Sequence, residues 1–288
     1  MPVLAPVDGR GPLGHPAAMD DAHLDPLTQW LAARARRGQP PLIGLNGSQG
    51  SGKSTLAAAL RERLAAAGVR AAILSIDDLY LGRAEREALA ATVHPLLRTR
   101  GVPGTHDLAL ARQVLQALRQ PQNAEVAVPA FVKARDDRAA PEQWPLLRTP
   151  LDLVLFEGWC VGTPPQDEAG LLPPVNALEA REDADGRWRR YVNEQLAGGY
   201  ADLFAGLDAL LFLQAPDFDC IYRWRLQQEA GNAAAAGTPG MEPAALRRFI
   251  QHYERLTRHA LRVLPGRADL VVELGPRHEW RQLHWRRQ

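Results

Sequence analysis

The chain contains one segment whose residue types and spacing suit phosphate chemistry. Residues 47–55 read Gly-Ser-Gln-Gly-Ser-Gly-Lys-Ser-Thr, which matches the pattern Gly-x-x-x-x-Gly-Lys-Ser, and the apolar run 42–45 precedes them. Glycines let backbone N–H groups turn inward around phosphate oxygens, and a lysine places a compact charge on the β- and γ-phosphates. We therefore predict a phosphate-binding loop that contacts a nucleotide through Gly47, Ser48, Gln49, Gly50, Ser51, Gly52, Lys53, Ser54 and Thr55. The alternative is a glycine-rich turn that only begins a helix.

Two carboxylates follow apolar runs that read as buried strands. Asp77 follows residues 71–76, and Glu157 follows residues 151–156. Because ligands of parallel sheets bind at the carboxyl ends of the strands, we expect both acids beside the loop. Asp77 could accept the proton of a hydroxyl group that attacks a γ-phosphate, whereas Glu157 and the Ser54 hydroxyl could hold Mg²⁺. The alternatives are a turn or helix cap for Asp77 and a surface carboxylate for Glu157.

A charged helix is predicted after the fourth strand of the sheet, at residues 217–230, and it carries Arg223 and Arg225. Folded over the phosphates as a lid, Arg223 could stabilise the charge on the transferred group and Arg225 could contact the nucleotide. The small residues 231–240 suit a linker that lets this element move, so we place the lid at about 217–240. Ordinary surface charge on an amphipathic helix is the alternative interpretation.

Cations are dense in two further loops, 98–107 and 133–138. The second loop contains Lys133. The chain has only two lysines, Lys53 and Lys133, and every other strongly basic residue is arginine. Such loops could form a pocket for a small anionic acceptor such as a hydroxy acid or a sugar phosphate. The candidate pocket residues are Tyr80, Arg98, Arg100, His106, Asp107 and Lys133. Each has a surface or turn interpretation when taken singly.

The elements that must position these residues alternate between strands and helices. Apolar runs predict strands at 42–45, 71–76, 126–132, 151–156, 209–213 and 269–274, and helical spacing predicts helices at 20–37, 53–67, 83–91, 107–118, 187–206, 217–230 and 242–264. Continuous apolar strands indicate an α/β fold with a parallel central sheet covered by helices on both faces. We expect the P-loop NTPase fold with a helical lid, built as a single domain over residues 19–288 after a disordered tail at 1–18.

Composition excludes several classes of protein. The net charge is +1 and the charges are interleaved, so there is no electrostatic footprint for nucleic acid. Cys160 and Cys220 are too few for a disulfide scaffold or a zinc site. The sequence lacks a secretory signal and an uncharged apolar run of membrane-spanning length. We expect a cytoplasmic protein, monomeric or homodimeric, that binds a small molecule and neither nucleic acid nor a membrane.

Five segments together resemble the D-glycerate 3-kinase family of plants and fungi. They are Ser-Gln-Gly-Ser-Gly-Lys-Ser-Thr at 48–55, Ile-Asp-Asp-Leu-Tyr-Leu at 76–81, Leu-Leu-Arg-Thr-Arg-Gly-Val-Pro-Gly-Thr-His-Asp-Leu at 96–108, Phe-Glu-Gly-Trp at 156–159 and Cys-Ile-Tyr-Arg-Trp-Arg-Leu-Gln-Gln-Glu at 220–229. The third and fifth segments are much more specific than the first, which thousands of proteins share. The resemblance covers roughly residues 40–275 and extends to the superfamily of phosphoribulokinase, uridine kinase and pantothenate kinase.

The resemblance implies an ATP- and Mg²⁺-dependent kinase whose acceptor is D-glycerate, giving 3-phosphoglycerate. It carries the role of base onto Asp77, a metal-associated role onto Glu157, and the lid role onto Arg223 or Arg225. The sequence departs from the family pattern at Leu79, where an aromatic residue is common, and in the short loop after Lys133. Both departures lie near the expected acceptor pocket, so pantothenate, a nucleoside or a sugar phosphate remain alternative acceptors.

Two functions from other classes compete with a kinase. A switch or assembly factor that hydrolyses ATP slowly would need a residue that positions water rather than an acceptor pocket, and the cationic loops argue against it. A GTP-binding switch that recognises guanine through Asn-Lys-x-Asp is excluded by inspection, because that motif does not occur in the chain.

Overall fold

A six-stranded sheet forms the centre of the computed structural model, which describes residues 21–236 and 241–286. The strands in chain order are β1 (Leu42–Gly47), β2 (Ala71–Ser75), β3 (Glu125–Ala127), β4 (Phe131–Val132), β5 (Asp137–Arg138), β6 (Leu146–Arg148), β7 (Leu153–Gly158), β8 (Ala209–Gln214), β9 (Leu270–Leu274) and β10 (Trp280–Trp285). The sheet order is β10-β9-β8-β1-β7-β2. Within this sheet, the strands β1, β2, β7, β8 and β9 are parallel to one another, and the edge strand β10 pairs antiparallel with β9.

Helices cover both faces of this sheet. They are α1 (Asp21–Ala32), α2 (Lys53–Ala66), α3 (Arg83–Thr92), α4 (Leu108–Leu118), α5 (Glu168–Leu171), α6 (Ala177–Glu182), α7 (Arg187–Gln195), α8 (Ala201–Phe204), α9 (Phe218–Ala236) and α10 (Pro243–Val263). Side chains alternate along each strand, so Leu155 packs with α1 and α2 while Val154 and Phe156 pack with α4 and α8. The predicted α/β architecture is confirmed.

The predicted strand at 126–132 is wrong. The segment forms two short strands, β3 and β4, that lie outside the central sheet. Strand β3 pairs antiparallel with β6, and β4 pairs antiparallel with β5. Pro129 separates the two because it offers no N–H to a ladder. The β4–β5 pair carries the loop 133–136 out beside the carboxyl end of β2.

The predicted small-residue linker at 231–240 is wrong over its first half. Helix α9 continues to Ala236, because four consecutive alanines favour a helix more than any other residue does. Residues 237–240 lie outside the described part of the chain, as does the tail predicted at 1–18. The helix predicted at 20–37 ends at Ala32, and the one predicted at 187–206 is interrupted at Gly198, whose backbone is not helical.

Two further elements had no clear sequence signal. Helix α6 contains only Leu178 as a large buried apolar residue, and most of the side chains of the edge strand β10 are exposed. Over the described ranges, no helix is long and apolar enough to cross a lipid bilayer.

A buried arginine fastens together the loops at the carboxyl edge of the sheet. Arg86 on α3 is 1% exposed. Its guanidinium donates to the carbonyl oxygens of Leu81 at 3.2 Å, Arg98 at 2.7 Å and Asp136 at 2.6 Å. It also pairs with the Asp136 carboxylate at 2.9 Å. Three segments distant in sequence therefore depend on one side chain for their relative placement.

We expect Arg86→Met to lower the free energy of unfolding by about 3 kcal/mol, because it leaves the buried carbonyl oxygens without their donor and removes one of the two arginines that pair with Asp136. Urea denaturation would measure the loss. The matched control is Arg148→Met, which removes a largely exposed pair with Glu125 and should cost at most about 1 kcal/mol. Equal losses in the two variants would contradict the role assigned to Arg86.

Candidate active site

The glycine-rich loop joins the end of β1 at Gly47 to the start of α2 at Lys53. Gly50 and Gly52 adopt φ values of 75° and 87°, in the left-handed region that favours glycine. A Cβ on Gly47 would stand 2.6 Å from the Ser51 hydroxyl oxygen, so a side chain there would displace the loop. The loop lies at the amino end of a 14-residue helix, where unpaired N–H groups favour an anion.

Ser54 and Glu157 meet because β1 and β7 are adjacent parallel strands. The register pairs Leu45 with Glu157, and the Ser54 hydroxyl donates to Oε1 of Glu157 at 2.9 Å. Glu157 is 2% exposed, and its second oxygen, Oε2, has no hydrogen-bond partner among the described residues. A buried carboxylate oxygen without a donor is an unpaired acceptor, and a cation would satisfy it.

These residues fit a divalent cation that is held partly by phosphate. Across the described part of the chain, no three acidic, histidine or cysteine side chains converge to hold a metal. Mg²⁺ typically binds through one or two protein oxygens, substrate phosphates and water, rather than in a cage of protein ligands. A serine and a carboxylate beside a phosphate-binding loop supply that partial set.

Asp77 follows β2 in a short turn, Ile76–Leu79. The Tyr80 hydroxyl donates to Oδ1 of Asp77 at 2.8 Å, and the Lys133 ammonium donates to Oδ2 at 3.0 Å. Burial alone would raise the pKa of Asp77, but the charges of Lys133 and Lys53 and the bond from Tyr80 lower it well below its usual range. Asp77 is therefore a carboxylate at neutral pH, poised between two cations.

A buried aromatic wall stands beside Asp77. The Tyr80 ring stacks on His106 at 4.6 Å between centroids and meets the edge of Phe131 at 5.2 Å. The two backbone segments also pair: the Leu81 N–H donates to the carbonyl oxygen of Thr105, and the Asp107 N–H donates to that of Leu79. The loop that contains His106 is thus attached to the turn that contains Asp77.

His106 is buried and forms a hydrogen bond with Tyr200. The Tyr200 hydroxyl oxygen lies 2.6 Å from Nδ1 of His106 and accepts from the Gly104 N–H at 3.0 Å. The Tyr200 hydroxyl can meet Nδ1 either as donor or as acceptor, so this contact fits both neutral tautomers of the ring. Burial lowers the pKa of His106 to about 3, against the opposing effect of Asp77, so the ring is neutral. Nε2 has no hydrogen-bond partner among the residues the structure describes.

Arg100 packs against the Phe131 ring of the same wall. Its guanidinium lies 5.4 Å from the centroid of the Phe131 ring and pairs with Asp136. Its carbonyl oxygen accepts from the Tyr253 hydroxyl at 3.0 Å. A Cβ on Gly101 would overlap that hydroxyl, at 2.1 Å, so only glycine allows this approach. We call Asp77, Tyr80, Arg100, His106 and Lys133 the acceptor cluster.

Two of the candidate pocket residues have other contacts. Arg98 is 64% exposed and pairs with Glu87 on α3. The Asp107 carboxylate caps α4 by accepting from the Leu110 N–H at 3.0 Å and pairs with Arg138 at 3.3 Å. The structure therefore brings five of the six candidates to adjoining positions but leaves the Arg98 guanidinium at the surface.

The two lid arginines differ in their surroundings. Arg223 is exposed and donates to the sulfur of Cys220 at 2.8 Å. Arg225 is 17% exposed and pairs with Glu229 at 2.9 Å. A Cβ on Gly50 would stand 3.4 Å from the Arg225 backbone nitrogen, so α9 lies directly against the phosphate-binding loop. The backbone of Arg225 adjoins the loop, while Arg223 lies on the solvent side of the helix.

Sequence patterns did not identify Tyr200, Tyr253 or Phe131, whose side chains hold the acceptor cluster together. Each makes contacts across a long stretch of sequence, such as the 153 residues between Tyr253 and Arg100. The neighbouring acid Asp78 accepts from the backbone N–H of Phe131 at 3.4 Å. Only the two glycines, 101 and 104, hinted locally that this loop approaches another element closely.

Known proteins share extended similarity with this chain. The model of a family described as methylmalonyl Co-A mutase-associated GTPase MeaB matches residues 19–79, which include the phosphate-binding loop. The chain is 34% identical over 244 residues to the uncharacterized kinase mug58 of Schizosaccharomyces pombe, over 80% of this chain and 84% of that relative. It is also 34% identical over 226 residues to the chloroplastic D-glycerate 3-kinase of Arabidopsis thaliana, over 74% of this chain and 46% of that relative, so it spans about half of the plant protein.

A solved structure agrees in fold. The D-glycerate 3-kinase from Cryptococcus neoformans var. grubii superposes with a TM-score of 0.73 at 24% identity, over 92% of this chain and all of that one. At this identity the likeness concerns the fold, and it agrees with the parallel sheet and the covering helices described above. The predicted resemblance and the P-loop kinase fold are confirmed. The chain belongs to the D-glycerate 3-kinase-like family of P-loop kinases, phosphotransferases that act on an alcohol group.

Proposed function

We propose that the protein transfers the γ-phosphate of ATP, with Mg²⁺, to a hydroxyl group of a small anionic acceptor. D-glycerate is the first choice, which would give 3-phosphoglycerate. The observation that carries this proposal is the Asp77 carboxylate, held by Tyr80 and Lys133 within the field of Lys53. A base, an anion-binding cation and the phosphate-binding lysine would then share one site, as in-line transfer to a hydroxyl requires.

In the proposed reaction the acceptor hydroxyl attacks the γ-phosphate and Asp77 accepts its proton. A base of low pKa suffices because the transition state is loose and the hydroxyl proton leaves late. An acceptor carboxylate would compete with Asp77 for Lys133. Losing part of that pairing raises the pKa of Asp77 and makes it a better base when the acceptor is bound.

Three other features of the acceptor cluster favour a hydroxy acid. Arg100 offers a second cation beside Lys133, and cations of this density suit a carboxylate. Nε2 of the neutral His106 ring has no partner among the described residues and, when it carries the ring proton, would donate to a hydroxyl or carboxylate oxygen without adding charge. The Tyr80 hydroxyl, which already donates to Asp77, would orient the base. Arg98 and Asp107 would not contact the acceptor; their bonds to Glu87, Leu110 and Arg138 would instead hold the loop 98–107 in place.

On the nucleotide side, Ser54 and Glu157 would hold Mg²⁺. The ion would supply positive charge to the β- and γ-phosphates when bound. Lys53 would place its ammonium on the same phosphates, and the backbone N–H groups of the loop would orient them. Arg225 would contact the nucleotide, and Arg223 would have to exchange its contact with Cys220 to stabilise the transferred group.

A coupled assay of ADP release tests the acceptor. We expect D-glycerate to stimulate ADP release over the acceptor-free rate more than pantothenate, uridine or ribulose 5-phosphate does, and ³¹P NMR to identify 3-phosphoglycerate as the product. GTP in place of ATP is the nucleotide control, because the model of a GTPase family matches residues 19–79 of the chain. If none of the acceptors stimulates ADP release, the protein is not a kinase for these compounds, and the result favours an ATP-hydrolysing switch.

The role of Asp77 is tested by Asp77→Asn. We expect kcat to fall at least ~100-fold, because the proton acceptor is lost, while the Kd for ATP changes less than about threefold. Stopped-flow turnover and calorimetric titration with ATP measure the two quantities. The matched control is Asp78→Asn, which alters the neighbouring acid that accepts from Phe131 and should keep kcat within about tenfold. Undiminished turnover in Asp77→Asn would refute the assignment of the base.

The pairing of Lys133 with Asp77 predicts a pH effect. The base must be ionised, and its pKa is lowered, so the wild-type kcat/KM should be independent of Asp77 ionisation between pH 5 and 7, above the usual aspartate pKa of about 3.9. Lys133→Met removes the cation and raises the pKa of Asp77. The acid limb of kcat/KM should therefore move to higher pH by about one unit or more, and the KM for the acceptor should rise.

The control for this experiment is Arg135→Met, which removes an exposed cation from the same loop. Its pH profile should match that of the wild type. An unchanged acid limb in Lys133→Met would mean that Lys133 does not set the pKa of Asp77.

A further inference from the structure

The phosphate-binding loop has a contact that the proposed chemistry does not use. Nε2 of His278 lies 2.8 Å from the carbonyl oxygen of Gly50. Since a carbonyl oxygen only accepts, Nε2 carries the proton and donates. His278 lies in the turn between β9 and β10, 228 residues away in sequence. A remote turn therefore fixes one peptide of the loop directly.

The His278 ring is itself held in place. It stacks on Trp224 with 4.2 Å between centroids and an angle of 26° between planes. The Trp224 indole N–H donates to the carbonyl oxygen of Pro276 at 2.8 Å, and Trp224 is 2% exposed. The stack and this bond join α9 to the same turn. The imidazole is thereby oriented before any nucleotide arrives.

The backbone of His278 supports a role beyond packing. Its φ is 63°, and among the described residues only one other non-glycine residue, Asp136, has a positive φ. Such a conformation is unfavourable for a residue with a side chain and persists when surrounding bonds enforce it. Two backbone bonds do so here, from His278 to Gly275 at 3.0 Å and from Gly275 to Glu279 at 2.7 Å.

The peptide group between Gly50 and Ser51 is restrained at both ends. Its carbonyl accepts from His278, and its N–H donates to the Ser48 carbonyl oxygen at 3.2 Å. Glycine at position 50, with φ of 75°, would otherwise allow this peptide to flip easily. Because the peptide is planar and trans, fixing the carbonyl toward His278 fixes the opposite direction of the N–H. The course of the phosphate-binding loop at this peptide is thus set in advance by a contact from outside the loop.

We propose that His278 is a positioning residue for nucleotide binding. It holds the Gly50 carbonyl toward the β9–β10 turn and keeps the loop in the conformation that receives phosphate. Through its stack on Trp224 it also joins the loop to α9, the helix that contains Arg225. This inference rests on the proposed nucleotide site and is independent of which acceptor is phosphorylated. It assigns a donor role that purely structural packing would not require.

Two substitutions separate the hydrogen bond from the packing. His278→Phe keeps a ring for the stack on Trp224 and removes the donor, whereas His278→Gln keeps an N–H donor and removes the ring. The Kd for ATP with Mg²⁺, measured by calorimetric titration without acceptor, should rise at least ~10-fold in His278→Phe. It should stay within about threefold of the wild type in His278→Gln. The KM for the acceptor should be unchanged in both.

His284→Phe is the matched control, because His284 lies on the neighbouring strand β10 and is exposed. It should bind ATP as the wild type does. Wild-type affinity in His278→Phe would overturn the proposal. So would a greater loss in His278→Gln than in His278→Phe, or a loss of ATP affinity that is matched by an equal rise in acceptor KM and a fall in thermal midpoint.

Measurements of ATP binding and of acceptor phosphorylation by the wild-type protein separate a failure of the His278 proposal from a failure of the proposed function. If this protein binds ATP but phosphorylates none of the acceptors, the acceptor assignment fails and the comparison of the His278 variants still decides the positioning role. If the wild type binds no ATP, both proposals are overturned.

Discussion

The site depends on how two carboxylates at the carboxyl edge of the sheet are compensated. Moving a carboxylate out of water is costly unless donors or cations replace the lost hydration. Asp77 receives both kinds of compensation from the protein, through Tyr80 and Lys133. Glu157 receives only the Ser54 hydroxyl, and one of its oxygens has no partner among the described residues. The protein itself therefore compensates the first carboxylate, whereas the proposed function would complete the second with a cation that arrives with phosphate.

The compensation of Asp77 requires that the loops carrying its partners are held in fixed positions. Lys133 reaches Asp77 only if the β4–β5 pair is correctly placed, and Arg86 achieves this by binding the Asp136 carbonyl and carboxylate. The buried guanidinium also binds the carbonyl of Arg98, at the start of the loop that contains Arg100 and His106. Arg86, whose guanidinium is hydrogen-bonded inside the fold, thus holds the loops that carry Arg100 and Lys133, although it is not itself part of the acceptor cluster.

Features with a local signal were predictable from the sequence, and features that depend on distant contacts were not. The loop 47–55, Asp77 and Glu157 follow apolar strands, and adjacent parallel strands bring their carboxyl ends together. The strand predicted at 126–132 failed because Pro129 divides an apolar run whose halves pair elsewhere. Tyr200 and His278 act across 94 and 228 residues of sequence, and no periodicity indicates such a contact. Arg86 resembles a surface arginine because its neighbours on α3 are polar.

The Lys133–Asp77 pair also bears on how a kinase of this kind would discriminate against water. In the ligand-free protein Lys133 keeps the pKa of Asp77 low, so a water molecule near the γ-phosphate would meet a weak base. Water carries no charge with which to draw Lys133 away. An anionic acceptor does, and its binding would strengthen the base at the moment when a hydroxyl group is in position. Under the proposed function, the same electrostatic contact would then both recognise the acceptor and limit wasteful hydrolysis, a double role for the only lysine outside the phosphate-binding loop.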